Sequence, residues 1–149
     1  MRTLLIGISM LMLCGALLAD DEADRTKLIG TWQLQSGSDK DGSLWTLETK
    51  TDGLRIVRSQ NNQTLAEFEC NTVGKDCDVK DSGHHVKVSF YYNGPKLVEF
   101  ETRGSDVVKW RFGITGQGDT MEVEEIPVSP AGKTEVLQFK RAPTVSAQK

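Results

Sequence analysis

This chain of 149 residues is short of histidine, proline and cysteine, with two, four and three of them. The two histidines, His84 and His85, are adjacent. Neighbours on a strand point to opposite faces, whereas a metal site needs three or four converging ligands. No metal and no cofactor is therefore expected. The sequence has no G-x-S-x-G, no H-E-x-x-H and no phosphate loop. Gly113–Gly118 is glycine-rich but joins two strand candidates, with no helix N-terminus to receive a phosphate. No catalytic residue is assigned, and the chain reads as a non-enzyme. Basic residues do not accumulate in any segment, and 18 Lys and Arg stand against 21 Asp and Glu. Nucleic acid is excluded on that balance. Nowhere does the apolar pattern hold the period of a long amphipathic helix.

One long apolar run is present, at the start. Met1–Arg2 precedes the Leu-, Ile- and Met-rich Thr3–Ala19, and the acidic Asp20–Asp24 follows. A positive start, an apolar stretch and a small residue before a polar segment read as a signal peptide, residues 1–19. Leu4–Ala19 is short for a bilayer and interrupted by Gly7, Ser9 and Gly15. Cleavage after Ala19 leaves 130 residues, one domain's worth, and cleavage after Ala16 is the other option. The expectation is a secreted or periplasmic protein, with no membrane insertion after cleavage. Cys70 and Cys77 then form an even pair in an oxidising compartment, and six residues separate them. That spacing excludes a C-x-x-C redox site and predicts a structural disulfide.

What remains is rich in short alternating segments. Ten strand candidates run from Gly30–Gln35 to Thr134–Arg141, separated by turn signals such as Asp52–Gly53, Asn93–Gly94 and Gly116–Asp119. Of the ten aromatic residues all but Tyr91 fall in phase with apolar neighbours two positions away. A period of two with one apolar face defines half-buried antiparallel strands. The predicted fold class is all-β: one antiparallel up-and-down β-barrel of about 8–10 strands over 28–141. A flexible acidic arm, 20–27, precedes it and a polar, disordered tail, 142–149, follows.

Register is predicted by asking which pairings keep one face apolar. Phe100 opposite Trp110 and Val98 opposite Phe112 would place Glu99 and Glu101 outside, against Arg111 and Lys109. Phe90 would meet Val98 through an odd loop containing Pro95, because the two-residue alternative buries acid. Ile114 meets Met121, Phe112 meets Val123 and Arg111 meets Glu124. A bulge is expected just before Pro127, turning Glu125 inward near Trp110. Pairing Phe68 with Val79 sets Cys70 opposite Cys77.

The opening Gly30-Thr31-Trp32 resembles the G-x-W motif that begins lipocalins and related calycin barrels. In that family the tryptophan plugs the closed end and an arginine after the last strand packs on it. The resemblance implies those barrel-closing roles for Gly30, Trp32 and Arg141. The chain is also similar to small exported bacterial proteins beginning Gly-Thr-Trp. It lacks the helix-turn-helix insert of fatty-acid-binding proteins. If the barrel is hollow, its lining is Trp45, Ile56, Phe68, Phe90, Phe100, Trp110, Phe112 and Met121, an apolar wall for a small hydrophobic ligand. The alternatives are a filled structural barrel, and a protein-binding module such as a periplasmic protease inhibitor. The last would use the acidic arm and an exposed Tyr91–Leu97 pair.

Overall fold

A computed structural model describes residues 16–35, 42–81 and 83–143. Most of the expected signal segment and of the tail lies outside these residues. A helix, α1 (Ala16–Lys27), leads into ten strands. These are β1 (Gly30–Leu34), β2 (Ser43–Lys50), β3 (Gly53–Gln60), β4 (Gln63–Cys70), β5 (Cys77–Asp81), β6 (His84–Asn93), β7 (Lys96–Arg103), β8 (Asp106–Thr115), β9 (Thr120–Ser129) and β10 (Glu135–Arg141). They form one antiparallel sheet in the order β4-β3-β2-β1-β10-β9-β8-β7-β6-β5. First and last strands pair, Trp32 opposite Arg141 and Leu34 opposite Phe139. The sheet curls into a nearly closed up-and-down barrel, as predicted.

The one interruption in the wall is the seam between β4 and β5, the two edges of the sheet. The Cys70–Cys77 disulfide spans it with Cα atoms 5.8 Å apart. The Phe68–Val79 pairing expected beside this bridge does not form. The connection after Cys70 instead tucks against β6, where Val73 bridges Tyr91 and Gly74 donates its N–H to the Phe90 carbonyl at 2.8 Å. β5 then pairs with β6 alone, Cys77 opposite Val88.

Residues Asp20–Lys27, expected as a loose arm or one helical turn, form the body of α1. The helix lies at the barrel end where β1 starts. Arg25 Nε donates to the Gly94 carbonyl at 2.7 Å, and the Arg25 guanidinium sits 4.9 Å from the Tyr92 ring. Leu28 follows the helix into the core, and the Trp32 Nε1–H donates to its carbonyl at 2.9 Å. This end is filled: Leu47, Ile56, Phe68, Phe90, Phe112, Met121, Val123 and Phe139 are wholly inaccessible.

Besides the missing β4–β5 pairing, two registers differ from expectation, both at β7. Its inward residues are Leu97, Glu99 and Glu101, because Leu97 meets Phe112 and Glu99 meets Trp110. The β6–β7 turn is the two-residue Gly94-Pro95 between Asn93 and Lys96, which sets Phe90 opposite Glu99. The β8–β9 register is as predicted, with Phe112 opposite Val123 and Arg111 opposite Glu124. On β9 the alternation continues through Glu125, opposite Trp110, with no slip. The bulge falls after Pro127, at Val128, where the partners jump from Pro127 to Ser129.

Candidate functional site

Alternation along β3 places Leu54, Ile56 and Arg58 on the inner face, and Arg58 lies directly opposite Trp45 of β2. The same alternation brings Glu99 and Glu101 inward from β7 and Trp110 from β8. These side chains meet in the half of the lumen remote from α1. The Arg58 guanidinium carbon is 4.5 Å from the Trp45 ring, 4.5 Å from Trp110 and 5.5 Å from Phe68. The two indoles meet edge to face at 5.4 Å, and Trp45 also touches Phe112 and Phe139. A weakly hydrated guanidinium between aromatic faces is a stable use of arginine.

Its charge is answered by two carboxyl groups. Nη2 donates to Glu99 Oε2 at 2.8 Å and Nη1 donates to Glu101 Oε1. The network continues outward, as Arg103 Nη2 reaches Glu101 at 3.5 Å and Asp81 at 2.6 Å. Burial pushes the Glu99 carboxyl up to about 8, and the neighbouring Glu101 adds to that while Arg58 opposes it. Burial works against the Arg58 charge, but Glu99, Glu101 and Glu125 outweigh it and hold its pKa above the ordinary value. Among the described residues, Arg58 Nε, Glu99 Oε1 and Trp110 Nε1 are buried without a hydrogen-bond partner.

This half of the barrel is also buried, though its residues are sealed slightly less completely. Trp45, Arg58, Glu101 and Trp110 keep 5, 8, 6 and 7% of their surface, against none for Ile56, Phe68, Phe90 and Phe112. The cluster lies toward the barrel end that carries the Asn61-Asn62 and Gly104-Ser105 turns. The apolar plug lies beneath it.

Seven of the eight residues predicted to line a pocket face the lumen: Trp45, Ile56, Phe68, Phe90, Trp110, Phe112 and Met121. Phe100 does not. With β7 shifted by one residue, its ring lies outside, stacked on Tyr91 at 6.4 Å with Lys109 Nζ 5.6 Å away. Leu97, expected on the wet face, is wholly buried. Sequence reasoning missed the lumenal Arg58, Glu99 and Glu101. The signal was present, since Arg58 is in phase with Leu54 and Ile56, and both glutamates are in phase with Leu97. His84 and His85 are both exposed.

At the plugged end, the Arg141 guanidinium stacks 4.2 Å from the Trp32 ring. It donates to the carbonyls of Lys27 at 2.6 Å, Ile29 at 3.1 Å and Gly118 at 3.1 Å. Gly30 makes room for it: a Cβ there would come within 2.6 Å of Arg141 Nη1, at a φ of +137°. Two depressions open near this end, neither reaching Arg58. One of about 500 Å³ lies along Lys50–Gly53 and Glu69–Asn71, and one of about 360 Å³ lies between α1 and Thr49 and Tyr92.

No protein-family model and no curated protein matches the sequence. The fold does match solved structures. An abundant heat soluble (SAHS) protein from Ramazzottius varieornatus superposes with a TM-score of 0.65 at 12% identity, covering 78% of this chain and 96% of that one. A Schistosoma mansoni fatty acid binding protein in complex with arachidonic acid gives 0.63 at 18% identity, covering 80% and 99%. Apo lipid binding protein 8 of Caenorhabditis elegans gives 0.63 at 6% identity, covering 78% and 96%. The chain therefore shares the β-barrel fold of these proteins.

Proposed function

We propose that this protein is an exported, non-enzymatic carrier of a small, mostly apolar molecule, held in the half of the barrel that contains Arg58, Trp45 and Trp110. One observation carries the reading. Three buried polar atoms of Arg58, Glu99 and Trp110 are left without partners in an otherwise apolar lumen. A buried polar atom without a partner costs about 1–3 kcal/mol. A barrel serving only as a scaffold gains nothing by retaining three. Small barrels with a polar spot in an apolar lining suit a single amphipathic ligand. The structural likeness to a fatty acid binding protein and to a lipid binding protein supports the class of ligand. The disulfide and the signal-like start support export.

The test is native mass spectrometry of the exported protein, to detect a co-purifying small molecule, joined to titration with an uncharged fluorescent lipid probe. Saturable uptake at one site, quenched by Trp45→Ala, is the expected result. Absence of both a co-purifying molecule and probe uptake would leave a filled barrel and defeat the proposal. The protease-inhibitor alternative rested on the disulfide, the acidic arm and the Tyr91–Leu97 surface pair, and of these the pair is lost because Leu97 is inside. Its arm is docked through Arg25 to Gly94.

A further inference from the structure

Building on the carrier reading, the chemistry around Arg58 narrows the ligand's head group. A free carboxylate is the obvious partner for a lumenal arginine, but here the guanidinium fork is already filled. Nη2 is held by Glu99 and Nη1 by Glu101, both within the same chain. Glu125, opposite Trp110, adds a further negative influence on Arg58. An entering carboxylate would bring another like charge into a site of low dielectric, where such repulsion is strong. It would also offer only acceptors.

The unpartnered atoms set out what is wanted. Arg58 Nε and Trp110 Nε1 are donors, and Glu99 Oε1 lies on a carboxyl group beside them. An alkylammonium has donors only, so it would leave both N–H groups unanswered and face the guanidinium. A hydroxyl has one donor and two acceptor lone pairs. It matches two donors and one acceptor without adding charge.

We propose that the lumen selects an uncharged, hydroxyl-bearing amphiphile and rejects free fatty acids, because Glu99 and Glu101 occupy the arginine face that a carboxylate would need. The chain thus carries its own carboxyl groups as built-in competitors.

The experiment compares three probes of one chain length, dodecanol, dodecanoate and dodecylammonium, by quenching of tryptophan fluorescence in the full protein at neutral pH. Dodecanol is expected to bind at least about tenfold more tightly than either ion, a gap of about 1.4 kcal/mol. A dodecanoate or dodecylammonium affinity equal to or above that of dodecanol overturns the selectivity while leaving the carrier reading intact. Failure of all three probes, together with the uncharged fluorescent probe, defeats the carrier reading and this inference with it. A second arm uses Glu99→Gln with Glu101→Gln, which frees the guanidinium. Dodecanoate should then gain about tenfold or more, and an unchanged dodecanoate affinity in the folded variant counts against the competitor role. The wild-type comparison decides the question even if that variant does not fold.

Discussion

Arg58 Nη2 lies 2.8 Å from Glu99 Oε2, two residues 41 positions apart in sequence and joined across the lumen. Each is costly alone. Losing Arg58 would take the hydrogen-bond donor from Glu99 and strand Glu101, its other carboxyl partner, and removing one member of a buried ion pair typically destabilises by about 3–5 kcal/mol. Arg58→Met should do so, lowering the urea midpoint at neutral pH. Combining it with Glu99→Gln and Glu101→Gln should recover most of the loss, since no charge is then left buried. An Arg58→Met midpoint equal to wild type would mean that the cluster is not a structural pair at all.

The same contact predicts how stability varies with pH. Glu99 titrates near 8 when folded and near the ordinary 4.5 when unfolded. Between those values the folded chain holds a proton that the unfolded chain has released. Stability therefore falls as pH rises from about 4.5 to about 8, by on the order of a few kcal/mol, and levels off above. Glu48 and Glu124 act in the other direction. Hydrogen bonds from Arg55 and Arg111 lower their pKa values, so their contribution is lost as pH drops below the usual carboxylate range. Denaturation midpoints measured across pH should peak near about pH 5. In Glu99→Gln the decline toward pH 8 should flatten while the acid limb persists. An unaltered slope in that variant would rule out Glu99 as its source.

The barrel was legible because alternation, turn residues and the phase of Trp32, Trp45, Phe68, Phe90, Trp110 and Phe112 all point the same way. The charge cluster was not, and the reason lies in β7. One phase of Leu97-Val98-Glu99-Phe100-Glu101 offers Val98 and Phe100, the other Leu97 and two glutamates. Judged strand by strand, burying the acids looks forbidden. It becomes favourable only with Arg58, which arrives from β3, and no local pattern links the two. Val98 and Phe100 still find cover on the outside. Val98 is buried there, and Phe100 stacks on Tyr91. The disulfide was likewise readable from the cysteine pair. The seam it spans was not, because the 71–76 connection bridges to β6 instead of making a turn.

That seam makes a further prediction. Among the described residues no ladder joins β4 to β5, so the covalent bridge is the firm tie between the two edges. A loop this short contributes about 2–3 kcal/mol by loop-closure entropy. Cys70→Ser with Cys77→Ser should lose about that much stability. Amide exchange should accelerate in β5 and at the Cys70 end of β4, while β8 and β9, paired on both sides, keep their protection. A uniform rise in exchange over all strands would show that the seam is no weaker than the rest of the wall.

At the plugged end, Gly30, Trp32 and Arg141 form a unit whose parts should not be additive. Arg141 is largely exposed, yet it holds three carbonyls and one indole face, so Arg141→Ala should cost about 1–2 kcal/mol. Arg141→Lys should fall between, since an ammonium cannot span carbonyls on α1, the α1–β1 link and the β8–β9 turn from one planar group. Gly30→Ala carries two penalties, a positive φ of +137° and a contact of 2.6 Å with Arg141 Nη1. Only the contact is relieved when the arginine is removed. The double variant should therefore be more stable than the sum of the singles predicts, by about 0.5–1 kcal/mol in a denaturation cycle. Strict additivity would indicate that Arg141 swings clear of Gly30 in solution. The stacking on Trp32 would then be incidental to how the first strand is fastened to the last.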